Sequence, residues 1–202
     1  QMIGGPRQQD FLKRLGFLSP TTVELTEAPG ARPLLPKVWS EISSMTIAYG
    51  HGMSASPLHL ASAYATIVNG GTRVNPTLIR QDKPVVGERV ISARTSDMTR
   101  EMLRGVVEEG SGSTYGKVEG YDVGGKTGTT QGARDAWFIG FSADYVTGVW
   151  MGYDNNTPLT GVTGGVSRMV LLTDVASRVP VLIERTDARA MLVGDGGENP
   201  RL

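Results

Sequence analysis

Apolar positions in this chain fall into short runs of different period, and each period predicts an element. Between Pro6 and Gly16, Phe11, Leu12 and Leu15 stand among polar residues, which predicts a short amphipathic helix ended by Gly16. Residues 19 to 38 carry Pro20, Pro29, Pro33 and Pro36 and read as an extended loop. Ser56-Pro57 offers a helix cap followed by proline at the first helical position. The helix predicted from Pro57 to Asn69 holds Leu58, Leu60, Ala61, Tyr64, Ala65, Ile67 and Val68. So many apolar and small residues predict a largely buried helix, and Gly70-Gly71 should stop it. A second helix is predicted from about Ser96 to Glu109, where Met98, Met102, Leu103, Val106 and Val107 form one apolar face.

Beyond a Gly/Ser loop at residues 110 to 116 the period changes. Val118–Val123, Gly124–Thr130, Ala136–Phe141 and Val146–Tyr153 read as successive strands, with turn chemistry at Asp154-Asn155-Asn156. Helices followed by neighbouring strands predict an α+β fold with an antiparallel sheet. Composition shifts after Gly165. Met169–Leu172 and Val179–Ile183 are β-rich runs, and Pro180 and Pro200 argue against a covering helix. The expected division is therefore residues 1–165 and a β-rich extension, 166–202, packing as an independent appendage.

Composition narrows the function. The chain has 202 residues, 39% hydrophobic and 20% charged, enough for a packed core. Its formal net charge is 0, so the basic footprint of a nucleic-acid binder is missing. There is no cysteine, which suits an oxidising compartment without requiring one. No apolar run approaches the ~18 residues of a spanning helix. Gln1 opens in mid-sequence, and the chain reads as a fragment.

The candidate chemistry lies in Gly124-Gly125-Lys126-Thr127-Gly128-Thr129-Thr130, which leads into Arg134-Asp135-Ala136-Trp137-Phe138-Ile139-Gly140. On an edge strand, a Lys ammonium can hold a substrate carboxylate and a Thr hydroxyl can hydrogen-bond the same group. Glycine removes the side chain where a substrate backbone must lie close, and strand N–H groups can receive an added strand or an oxyanion. A solvent-exposed strand lysine explains the bare triplet equally well. Gly120 to Thr127 also satisfies the phosphate-binding pattern G-x-x-x-x-G-K-[ST], with Val170–Asp174 as a conceivable magnesium-holding strand end. That loop must follow a buried strand and open a helix, and Gly128, Thr129, Thr130 and Gly132 are poor helix formers. His51 and His59 have no supporting carboxylate or cysteine cluster; they read as loop and surface-helix residues, so no metal is expected. Arg134-Asp135 reads as a structural ion pair, and Trp137, Trp150 and Tyr153 as core or sheet-face residues.

Lys-Thr-Gly resembles the third active-site motif of the penicillin-recognising serine enzymes, whose other motifs are Ser-x-x-Lys and Ser-x-Asn. Neither is present. The five lysines, Lys13, Lys37, Lys83, Lys117 and Lys126, are preceded at that spacing by Asp10, Leu34, Arg80, Thr114 and Val123. Asn69, Asn75, Asn155, Asn156 and Asn199 are preceded two residues earlier by Ile67, Arg73, Tyr153, Asp154 and Gly197. At Trp39-Ser40-Glu41-Ile42, Thr46–Ala61 and Ala63–Gly71 the chain resembles the transpeptidase domain of class B, septal penicillin-binding proteins, and the likeness runs from about residue 1 to Thr129. Residues 131–138, 148–154 and 161–165 are more similar to class A, bifunctional members. Val170–Asp174 and Arg189–Asp195 resemble the rod shape-determining protein MreC, so the chain reads as a composite joined near Lys126 and Gly165.

The resemblance implies the C-terminal half of a transpeptidase-like domain, beginning just downstream of the family's Ser-x-Asn. Apolar faces should then be exposed where the other half would lie. It implies Lys126, Thr127, Gly128 and Thr129 as substrate-binding residues, with no catalytic nucleophile and no cofactor in this chain. Peptidoglycan stem peptide and β-lactams are the implied ligands, and cell-wall synthesis proteins candidate partners. The implied place is the periplasmic side of the bacterial inner membrane. A non-catalytic composite or envelope-scaffold fragment is the alternative, and a phosphate-loop nucleotide binder a remote one.

Overall fold

The computed structural model describes residues 3–21, 23–24, 32–83, 85, 87–114, 116–159, 178–183 and 188–193. The chain divides into two units, residues 1–160 and 161–202. In the first, four helices among the described residues precede an antiparallel sheet, an α+β arrangement. They are α1 (Gly5–Arg14), α2 (Glu41–Ala48), α3 (Pro57–Val68) and α4 (Ala93–Glu108). The strands β1 (Gly124–Thr129), β2 (Asp135–Phe141) and β3 (Val146–Gly152) lie in the order β1-β2-β3. The second unit holds β4 (Arg178–Ile183) and β5 (Ala188–Val193), paired antiparallel from Arg178↔Val193 to Ile183↔Ala188. Pro180 is tolerated there because both strands of a two-stranded sheet are edges. Met169–Leu172 and Val170–Asp174 lie outside the described residues, as do Gly161–Gly165 and Pro200.

Helix α3 forms where its caps dictate. The Ser56 hydroxyl accepts from the His59 N–H, and the His59 ring accepts from the Ser56 N–H in return, a capping box that uses histidine at the third position. His59 is therefore not a surface histidine. It is buried, its Nδ1 2.8 Å from the Ser56 hydroxyl and its Nε2 2.8 Å from the Ser19 carbonyl. With Nδ1 accepting, Nε2 carries the proton and ties the loop after α1 to the start of α3. Every residue of α3 after Pro57 is at least partly buried, and Ala63 joins Leu15 and Val90 in a core flanked by Phe17, Ile67 and Ile91.

Helix α4 presents a different face from the one expected. Met98 and Met102 are exposed, while Ser96 and Val107 are buried and Thr99, Leu103 and Val106 partly so. Ser96 lies inward because it is fully satisfied there. Its hydroxyl donates to the Ile67 carbonyl at 2.5 Å and accepts from the Gly70 N–H at 3.1 Å, supplying partners for the end of α3. The helix also begins earlier than expected, at Ala93, because Ser92 caps it through the Thr95 N–H.

Two further expectations are corrected. Val118–Val123 is not a strand: residues 119 to 121 form a turn, with Gly120 at φ 81°. Residues 41–48, given no element from the sequence, form α2, capped by the Ser40 hydroxyl on the Ser43 N–H at 3.1 Å. Only Ile47 of α2 is buried; Ile42 and Met45 are exposed, as are Leu34, Val38 and Tyr49 nearby.

Candidate functional site

Strand β1 is Gly-Gly-Lys-Thr-Gly-Thr and lies at the edge of the three-stranded sheet. It pairs with β2 from Gly124↔Phe141 through Lys126↔Ile139 and Thr127↔Phe138 to Thr129↔Ala136. No strand of the described residues covers its other edge. The return to β2 is tight. The Thr130 N–H donates to the Asp135 carbonyl at 3.1 Å, the Asp135 N–H to the Thr130 hydroxyl at 2.8 Å, and a single 3-10 turn, Gln131–Ala133, lies between. Lys126 therefore sits inside a strand that runs on to Thr129, not at the start of a helix. That overturns the phosphate-loop reading, which needs a helix N-terminus at this lysine.

The three glycines of β1 are there for different reasons. A Cβ on Gly124 would come within 2.4 Å of the Phe141 ring. One on Gly125 would lie 2.7 Å from the Ile139 carbonyl oxygen and 2.8 Å from the Phe138 ring. Phe138 also closes on Gly116 and Gly140, so its ring fills space that these glycines leave. Gly124 and Gly125 are packing residues. Gly128 is not: among the described residues a Cβ there would meet only Trp137, at 3.4 Å, and its φ is not among the positive ones. The fold does not demand glycine at 128.

Lys126 is exposed, and its ammonium donates to the Thr127 carbonyl at 2.9 Å. Thr127 is partly buried, and its hydroxyl lies 2.8 Å from that of Ser111, in the turn after α4. Thr129 is also partly buried. Arg104 of α4 bridges Glu108 at 2.7 Å and Asp122 at 3.0 Å, linking α4 to the segment entering β1. The hydrogen bond that Arg104 donates to Glu108 and the charge of Asp122 raise the already high pKa of Arg104 further. Such an exposed pair contributes little stability.

Other candidates lie apart from this strand or serve structure. Arg134 and Asp135 go to separate partners rather than to each other. Arg134 donates to the Asn156 carbonyl, and Asp135 accepts from the Trp150 indole N–H at 2.8 Å. Trp137 and Trp150 pack on the sheet face with ring centroids 6.3 Å apart, while Tyr153 lies beyond β3 and is exposed. His51 is exposed and stacks on Tyr49 at 6.5 Å. Among the described residues no group of His, Cys, Asp or Glu could hold a metal ion. Sequence reasoning did not single out Ser111; residues 110–116 showed only loop composition.

The model of the penicillin-binding protein transpeptidase domain matches residues 1–165. The chain belongs to this family. It is 41% identical over 134 residues to the probable peptidoglycan D,D-transpeptidase FtsI of Caulobacter vibrioides, covering 64% of this chain and 22% of that protein. It is 32% identical over 152 residues to stage V sporulation protein D of Bacillus subtilis, covering 69% and 23%. The apo transpeptidase domain of Burkholderia pseudomallei penicillin-binding protein 3 superposes with a TM-score of 0.68 at 27% identity, over 80% of this chain and 52% of that one. The chain thus spans under a quarter of the curated relatives it matches and about half of the solved domain. The MreC likeness of the tail finds no support in these comparisons.

Proposed function

We propose that this chain is the substrate-strand half of a peptidoglycan D,D-transpeptidase. In this reading β1 takes the C-terminal carboxylate of a D-alanyl-D-alanine stem peptide. Lys126 supplies the positive charge, Thr127 a hydroxyl donor, and the main chain at Gly128 and Thr129 an edge along which the peptide extends. The chemistry is acyl transfer. A serine hydroxyl attacks the carbonyl between the two D-alanines, the terminal D-alanine leaves as an amine, and an amine of a neighbouring stem takes the acyl group. That serine is not in a Ser-x-x-Lys of this chain, which contains none. β-Lactams are proposed ligands of the same strand, and the proposed place is the periplasmic side of the inner membrane. No helix among the described residues is long and apolar enough to cross a membrane.

The observation that carries the reading is Gly128. Packing accounts for Gly124 and Gly125 but not for Gly128, so a bare strand surface beside Lys126 needs another cause. A ligand lying against the strand supplies one.

Calorimetric titration with an N-acylated peptide ending in D-Ala-D-Ala tests this. The free carboxylate should bind more tightly than the C-terminal amide. Lys126→Ala should lower affinity for the carboxylate about 10-fold, as for a charged hydrogen bond. Gly128→Val should leave the thermal transition in place and weaken both ligands. Equal affinity for acid and amide, or an unaffected Lys126→Ala, would sink the proposal.

A further inference from the structure

We propose that Ser111 is a positioning residue for the substrate strand: it fixes the Thr127 hydroxyl as a donor toward the peptide carboxylate. The inference rests on the function proposed above and adds a residue to it.

The two hydroxyls are 2.8 Å apart across 16 positions of sequence. Either could donate in the free chain. A carboxylate beside Thr127 removes that ambiguity, because it only accepts. Thr127 must then give its one proton to the ligand, and Ser111 must give its own to a Thr127 lone pair. The resulting chain, Ser111 O–H to Thr127 O–H to carboxylate, polarises in one direction, and each bond strengthens the next. It also holds the β-branched Thr127 side chain in the rotamer that presents its hydroxyl.

Ser111 can do this because its turn is anchored at both ends. The Gly110 N–H donates to the Gly105 carbonyl at 3.1 Å and the Gly112 N–H to the Val106 carbonyl at 3.0 Å, hooking the turn over the last turn of α4. The Ser113 N–H returns to the Gly110 carbonyl at 3.1 Å, and the Gly116 N–H to the Gly112 carbonyl at 2.7 Å. Helix α4 itself packs along β1. Ser111 is exposed, so burial gives no reason for a hydroxyl there.

The test is the acid-versus-amide preference of the same D-Ala-D-Ala peptide, measured for the full chain and for Ser111→Ala and Ser111→Thr. Ser111→Ala should lose about 3- to 10-fold of the preference for the acid, the worth of one hydrogen bond. Its melting temperature should stay within about 2 °C of the parent, as for other exposed substitutions. Ser111→Thr should restore the preference. Unchanged preference in Ser111→Ala, with the parent still favouring the acid, would overturn the role of Ser111 alone. No preference in the parent would overturn the strand's function, and the role of Ser111 with it.

Discussion

Incubated with a penicillin, this chain is expected to gain no covalent mass. Acylation by a β-lactam needs a serine made nucleophilic by a neighbouring base, and the family's arrangement for that, Ser-x-x-Lys, is missing at every lysine. Among the described residues a serine does contact a basic group: the Ser56 hydroxyl lies 2.8 Å from His59 Nδ1. Its geometry serves the start of α3. His59 is buried, its other nitrogen is bound to the Ser19 carbonyl, and the Ser56 hydroxyl also accepts from the His59 N–H. Intact-mass spectrometry after prolonged incubation gives the answer. A stoichiometric adduct mapped to any serine, Ser56 included, would show that the chain carries its own nucleophile.

The largest loss of stability from a single methyl group is expected at Gly71. This residue follows the end of α3 with φ 92°, and its carbonyl accepts from the N–H groups of Val90 and Ile91. A Cβ at this position would lie 2.3 Å from the Ile91 carbonyl oxygen and 2.9 Å from its carbon. Backbone cannot step aside as a flexible side chain can. The positive φ costs about 1–2 kcal/mol and the overlap about 1–3 kcal/mol, so Gly71→Ala should lose roughly 2–5 kcal/mol. Its neighbour is the control. Gly70 has φ 96°, but among the described residues a Cβ there meets nothing within 4 Å. Gly70→Ala should therefore cost only the conformational part, about 1–2 kcal/mol. Urea denaturation of the pair separates the two contributions, and equal losses would contradict the packing at Gly71.

Much of this architecture could be read before the structure, and the misreadings have physical causes. Helix α3 was readable because Ser56-Pro57 and Gly70-Gly71 mark both ends in backbone chemistry. The hairpin of β2 and β3 was readable because its apolar runs are separated by a short polar turn. Helix α2 was missed because its apolar residues, Ile42, Met45 and Ile47, give no clean stripe and its other residues include Ser43, Ser44 and Thr46. Its signal was the Ser40 cap alone. The outward turn of Met98 and Met102 reflects a core that accepts Ser96, because the end of α3 needs hydroxyl partners. Hydropathy cannot register such a demand from another helix. His59 was misplaced for the same reason: its burial depends on a carbonyl 40 residues away. At the site, Lys126 to Thr129 stood out as a motif. Ser111 did not, since its partner is a tertiary neighbour of a loop with ordinary composition.

The edge strand carrying Lys126 and Thr127 is proposed to receive the carboxylate end of the peptide. Amide and methyl NMR resonances of the isotope-labelled chain, followed during titration with the D-Ala-D-Ala peptide, test it most directly. Saturable shifts are expected, centred on residues 126 to 129 and extending to Ser111 and Trp137, with much smaller shifts for the C-terminal amide. Shifts confined to other surfaces, such as the exposed apolar residues of α2, or none at β1 at any peptide concentration, would contradict it.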